Sequence, residues 1–385
     1  MDLENVLLHA VALGASDVHF KFGQPPIVRL DGSLERLDAP SLTPADLAAV
    51  LDEVTAQHPR RRADFEARSE LDVAYNPTGI ARFRVTGFVQ RGTLSFAFRL
   101  IPDTVAGFAE LRLPSGVRRL AEERHGLLLV TGATGSGKTT TLAALVDHIN
   151  RTRAQHIVTI EDPIEILHAD RSCIVSQRDV GDDTASYSEG LRRALRQDPD
   201  VLVIGELRDE ESAQTALSAA ESGHLVLTTL HTVDAAETVK RLVDFFPAGK
   251  QALIRNILAS VLRGVISQRL LPRIQGGRVV AVEVMVRNAR IADAIRDDRP
   301  HDITAAIGEG SFFDMQTLTQ ALLDLVVSGE VDRDVAAGAA SNRHDFIIAL
   351  RNAGQQLPAD HPLPAELPSA AEPVVELGVR GPAGR

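Results

Sequence analysis

Four threonines, three glycines and a lysine stand together in TGATGSGKTT, residues 131–140, directly after the apolar run GLLLV. The spacing from Gly132 through Gly137 and Lys138 to Thr139 fits the pattern G-x-x-x-x-G-K-[ST], in which each position has a chemical role. Glycine lets the backbone of Gly132, Ala133, Thr134, Gly135, Ser136 and Gly137 bend until several N–H groups face one anion. The helix that follows adds the positive end of its dipole. Lys138 would place an ammonium on the β- and γ-phosphates. Thr139, with Thr140 beside it in the first helical turn, would supply the hydroxyl that ligates Mg2+. The strand this loop needs is predicted over 127–131, and the helix over 141–150, TLAALVDHIN, which is free of proline. The chemistry is the binding of a magnesium-bound triphosphate.

Cleavage needs, in addition, a group that positions or deprotonates water. In VLVIGELRD, residues 201–209, an apolar strand ends at Gly205-Glu206. That placement puts the Glu206 carboxylate at the sheet edge where parallel α/β folds take their ligands, and makes it the candidate for polarising the attacking water. Gly205 occupies the place where an ordinary second nucleotide motif would end its strand in aspartate, and Asp200 stands at the other end. In IVTIEDPIEILH, residues 157–168, Glu161, Asp162 and Glu165 fall within five positions. Such carboxylates repel unless cations or hydrogen-bond donors share the site, and Mg2+ with its waters is a natural partner. A third strand, in GHLVLTTLHT, runs from His224 to His231. Either imidazole is a candidate for sensing the γ-phosphate or bonding a catalytic carboxylate. Neither a metal triad nor a Cys-His nucleophile is visible, and the single cysteine, Cys173, reads as a buried thiol.

These motifs need elements to hold them. At 385 residues the chain has room for two or three domains. A net charge of -11 argues against broad capture of nucleic acid, and no nucleic-acid partner is expected. One cysteine excludes an intrachain disulfide framework. Asp2 and Glu4 stand where a signal peptide would carry positive charge. No apolar run approaches the roughly 18 residues of a membrane span, so membrane association is expected only through partners.

Residues 1–100 alternate short helical and strand patterns and predict a small α+β domain. IVRL, Asp31-Gly32 and SLERL read as a hairpin, Thr43-Pro44 as a helix start, and residues 81–99 as two strands about Gly92. A turn-rich connector over 101–118 follows. From 119 the apolar strands LLLVT, IVTI, VLVIG and LVLTTL alternate with helices, the pattern of a mainly parallel sheet covered on both faces. This α/β domain, with C-terminal helices after 310, is predicted to extend to 356. Residues 357–385 hold six of the chain's 19 prolines and are expected to be disordered.

The segments TGATGSGKTT, IVTIEDPIEILH, RQDPDVLVIGELRD and GHLVLTTLHT resemble, in this order, the phosphate loop, aspartate box, atypical Walker B and histidine box of the secretion ATPase superfamily. GASDVHFKFGQPPIVRLDG and RFRVTGFVQRG are similar to the type IV pilus retraction ATPases of the PilT type, which drive twitching motility. The resemblance covers residues 1 to about 330. It implies a PAS-like N-terminal domain, a RecA-like ATPase domain, ATP and Mg2+, a homohexamer, a cytoplasmic location and inner-membrane pilus platform proteins as partners. It also implies that Glu206 is the catalytic carboxylate, that His224 and His231 serve the histidine box, and that Arg84 and Arg99 reach the phosphates. Within that family an AIRNLIRE-like helix is usual. Here the matching stretch is ARIADAIRDDR, residues 289–299, with Ala292 in place of the first arginine. A pilus assembly or type II secretion ATPase, and a nucleic-acid translocase, are the alternatives.

Overall fold

A computed structural model describes residues 1–356 apart from 31, 102 and 103. The proline-rich stretch 357–385 therefore lies outside the described residues.

Alternation builds the N-terminal unit. Its elements are α1 (Leu3–Ala12), β1 (Asp17–Lys21), β2 (Ile27–Leu30), β3 (Ser33–Arg36), α2 (Pro44–Thr55), α3 (Pro59–Arg68), β4 (Glu70–Tyr75), β5 (Arg82–Gln90) and β6 (Thr93–Ile101). In β1, β5 and β6 apolar residues on one face are buried, as in Val18 and Phe20, Phe83 and Val85, and Phe96 and Phe98. Leu7, Leu47, Val50 and Val54 cover that face from α1 and α2. Thr43 and Asp46 close a capping box at the start of α2, which is why that helix begins at Pro44. The sheet has the order β3-β2-β1-β6-β5-β4 with antiparallel pairs throughout. Arg84 and Arg99 are direct cross-strand partners and share the opposite face from the phenylalanines.

The second unit contains α4 (Ser115–Ala121), β7 (Gly126–Thr131), α5 (Lys138–Thr152), β8 (His156–Glu161), β9 (Ile174–Asp179), α6 (Tyr187–Ala194), β10 (Val201–Ile204), α7 (Glu210–Glu221) and β11 (Leu225–Leu230). There follow α8 (Ala235–Asp244), α9 (Ala248–Val261), β12 (Leu262–Pro272), β13 (Arg278–Val286), α10 (Ala289–Arg296), α11 (Pro300–Gly308), α12 (Leu318–Val327), α13 (Arg333–Ala339) and α14 (Arg343–Gln356). Strand order is β13-β12-β7-β11-β10-β8-β9, parallel except for the antiparallel edge strand β13. Every residue of β7, β10 and β11 is buried, as near-continuous apolar strands between two helical layers require. This is a RecA-like α/β arrangement. The helices α12 and α14 form a smaller core of Leu318, Leu322 and Phe346 against Leu271 and Val279.

Strand order fixes what stands beside the phosphate loop. Four parallel strands end side by side in the sequence β7, β11, β10, β8. Their tips carry, in turn, the loop, His231, Glu206 and Glu161. With neighbouring strands about 4.8 Å apart, Glu206 starts roughly 10 Å from the loop strand and Glu161 roughly 14 Å.

Candidate nucleotide site

The phosphate loop leaves β7 at Thr131 and enters α5 at Lys138, with Gly137 at positive φ as the N-cap. Gly132 needs its missing side chain, because a Cβ there would lie 2.5 Å from the Gln268 carbonyl of β12 and from the Ser136 hydroxyl. The Ser136 hydroxyl is buried and has no protein partner. Ala133, Thr134, Gly135, Thr139 and Thr140 are exposed along the mouth. The loop is thus anchored from below and open above.

Lys138 is buried, and its ammonium donates to the carbonyls of Gly132 (2.8 Å) and Ala133 (3.0 Å). Its Nζ also lies 3.4 Å from His231 Nδ1. An ammonium has only donors, so that imidazole nitrogen accepts and Nε2 carries the proton. Nε2 stands 3.3 Å from Glu206 Oε1, and the other carboxylate oxygen accepts from Arg208 Nε at 3.2 Å. Lys138, His231, Glu206 and Arg208 thus form one polar chain across three strand tips. Burial lowers the Lys138 pKa and the Glu206 carboxylate opposes that shift. An anion in the loop would act in the same direction as Glu206.

Glu161 is held differently. It accepts from the Thr159 hydroxyl at 2.6 Å and from Gln177 Nε2 at 3.0 Å, and burial raises its pKa despite those bonds. Glu165 lies farther along the loop, where its carboxylate pairs with Arg84 Nη1 of the N-terminal unit at 3.0 Å. Arg84 is also gripped by both oxygens of Asp72, at 3.2 and 3.0 Å. Arg84 therefore meets the acidic loop and not the phosphate loop in this conformation. Arg99 is 74% exposed and pairs with Asp17 of β1 at 3.0 Å.

A second contact between the units went unread in the sequence. Arg61 of α3, 15% exposed, donates to Asp179 at 2.9 Å and to the Val180 carbonyl at 2.5 Å. Asp179 also accepts from the Ile164 N–H at 3.0 Å, inside the acidic loop. Arg82 Nη2 donates to the Ile164 carbonyl at 3.2 Å, and His58 lies 3.0 Å from Asp182. Burial raises the Asp179 carboxyl, while the surrounding carboxylates keep Arg61 firmly charged. The only local signal was the basic run PRRR that opens α3.

Comparison with known proteins agrees with this geometry. Residues 1–299 match the family model described as type II/IV secretion system protein. The chain belongs to that family. It is 43% identical over 346 residues to the type IV pilus retraction ATPase PilT of Pseudomonas aeruginosa, covering 90% of this chain and 100% of that protein. It is 40% identical over 318 residues to a twitching motility protein of Neisseria gonorrhoeae, covering 82% of this chain and 84% of that one. A crystal structure of the pilus retraction motor PilT with bound ADP superposes with a TM-score of 0.84 at 41% identity, covering 90% of this chain and 98% of the other.

The family resemblance singles out two further positions, His224 and Ala292. His224 does not join His231. It stands at the start of β11, where Nδ1 meets Ser222 Oγ and the Ala219 carbonyl, each at 3.0 Å. The six residues of β11 separate it from the phosphate loop end of the sheet by roughly 20 Å. A single strand cannot present both its ends to one ligand. Ala292, where the family helix has arginine, is 1% exposed in α10 and packs in the main core. An arginine there would have to displace buried apolar side chains.

Proposed function

We propose that this chain hydrolyses ATP to drive retraction of a type IV pilus. It works as a homohexameric ring, in the cytoplasm, held at the inner face of the membrane by pilus platform proteins. The observation that carries the reading is the Lys138–His231–Glu206 chain at the mouth of the phosphate loop. It is supported by likeness to PilT over the whole of that protein. Among the described residues no helix is long and apolar enough to cross a membrane.

In this reading the loop N–H groups and Lys138 hold the β- and γ-phosphates. Phosphate oxygens replace the loop carbonyls as partners of the ammonium. Thr139, exposed at the first turn of α5, has the hydroxyl to hold Mg2+. The ion supplies neutralisation of phosphate charge, and a single hydroxyl with phosphate oxygens suits a cation that keeps several waters. Glu206 orients the attacking water, and His231 links its charge state to the phosphate side of the site. Glu161 and Glu165 form the acidic wall that Arg84 covers. Arg84 and Arg99 reach the phosphates only after the two units change their relative position or in a neighbouring subunit. The connector over 101–118 is the hinge for that motion.

A strain lacking the gene tests direction as well as function. Excess surface pili with lost twitching is the expected outcome. Bald cells would show an assembly motor instead.

A further inference from the structure

β11 brings His231 to the Glu206 carboxylate, and two residues earlier it sets Thr229 beside the backbone that carries Glu206. All six residues of β11 are buried, and a hydroxyl in such a strand costs stability unless it is paired. Thr229 Oγ1 donates to the Gly205 carbonyl at 2.7 Å, the usual length of a hydroxyl hydrogen bond. The Thr229 carbonyl in turn accepts from the Leu207 N–H at 3.2 Å. Those two groups belong to the peptide units on either side of the Glu206 Cα, so one residue of β11 grips both. On the other flank the Gly205 N–H donates to the Ile160 carbonyl of β8 at 2.9 Å. Thr228 makes the contrast. Successive strand residues face opposite sides of the sheet, and its buried hydroxyl has no hydrogen-bond partner among the described residues.

We propose that Thr229 is a positioning residue for ATP cleavage: its hydroxyl fixes the peptide unit that leads into Glu206, so that the carboxylate is held between His231 and Arg208 toward the water it orients. This rests on the assignment of Glu206. The strand β10 stops at Ile204, and Gly205, with no Cβ, is the residue whose backbone turns most freely. The bond from Thr229 removes that freedom one residue before the carboxylate. Packing alone does not call for a hydroxyl here, since valine has the same branched shape and suits a buried strand as well. Loss of one such hydrogen bond in the cleavage step corresponds to about a tenfold loss of rate.

The test uses the full chain, steady-state phosphate release and titration with a fluorescent ADP analogue. Thr229→Val removes the hydroxyl and keeps the shape. It is expected to lower kcat about tenfold while ADP affinity stays within about twofold. Thr229→Ser restores the donor and should bring kcat back to within about threefold of the parent. Thr228→Val, the same change on the opposite face of the strand, should leave kcat at the parent value. In a Glu206→Gln background Thr229→Val should add no further loss, because it acts only through that side chain. A Thr229→Val enzyme with the parent kcat overturns the proposal, as does a Thr229→Ser or a Thr228→Val enzyme as slow as Thr229→Val, or a multiplied loss in the Glu206→Gln background. If Thr229→Val fails to fold, Thr229→Ala carries the same comparison with Thr229→Ser. Failure is separable from that of the site reading: a normally active Glu206→Gln removes both, whereas an inactive Glu206→Gln beside a normal Thr229→Val removes only this inference.

Discussion

Lys138 and Glu206 share one polar chain, yet their substitutions should fail in different ways. Lys138 donates to the loop carbonyls of Gly132 and Ala133, and in the proposed function its ammonium binds the phosphates. Lys138→Ala is therefore expected to lose nucleotide affinity by two orders of magnitude or more, on the order of 3 kcal/mol for a buried charge-assisted contact. Glu206→Gln keeps the shape and the Arg208 contact but cannot take a proton or polarise water. It should bind the fluorescent nucleotide normally and release phosphate at under about 1% of the parent rate. Normal turnover by the glutamine variant would remove Glu206 from the mechanism. Thr159 and Gln177 both hold Oε1 of Glu161, and the strand order sets that residue one position farther from the loop than Glu206.

At the scale of elements, α3 is tied to the acidic loop by Arg61 and Asp179. Asp179 stands between the guanidinium and the Ile164 N–H, so the pair couples the N-terminal unit to the backbone beside Glu161–Glu165. Gly181 takes part through close approach, because a Cβ there would lie 2.7 Å from the Arg61 guanidinium carbon. Arg61→Ala leaves a largely buried carboxylate without its cation and should destabilise the contact by about 2–4 kcal/mol. Hydrogen exchange is the direct measurement, with faster exchange expected at the Ile164 amide. An unchanged Ile164 would show that the two units are held together by other contacts. The same coupling explains why Arg82 and Arg84 meet the loop in this conformation: they project from the sheet face opposite the phenylalanine core, toward the second unit.

Across the whole molecule one carboxylate joins the ATPase sheet to the terminal helices. Glu283 of β13 is 4% exposed and accepts from the Ala235 N–H of α8 at 2.8 Å and the Leu318 N–H of α12 at 3.3 Å. Burial pushes its pKa up from 4.5 to about 7. The folded state therefore binds more protons than the unfolded state between these values, and stability falls as pH rises through them. The parent should lose about 3 kcal/mol between pH 5 and pH 9 from this group. Glu283→Gln does not titrate, although its amide faces one N–H that the carboxylate accepted. The difference in Tm, parent minus variant, should shrink as pH rises through 7. A difference that is constant or grows would contradict the buried proton. Other groups titrate alike in both proteins and cancel.

The nucleotide chemistry was legible in the linear chain because the loop, its strand and its helix are contiguous and their hydrogen bonds are local. The β5–β6 hairpin and the α2 cap were legible for the same reason, the first turning through Arg91 and Gly92 at positive φ and the second closed by Thr43 and Asp46. Sequence also placed Glu206, His231 and Glu161 at strand ends. Which of them stands next to the loop, and that Arg61 joins the N-terminal unit to the acidic loop, came only from the folded chain. Strand order in a parallel sheet and the seating of one unit on another depend on how distant apolar faces pack. No local pattern encodes those distances.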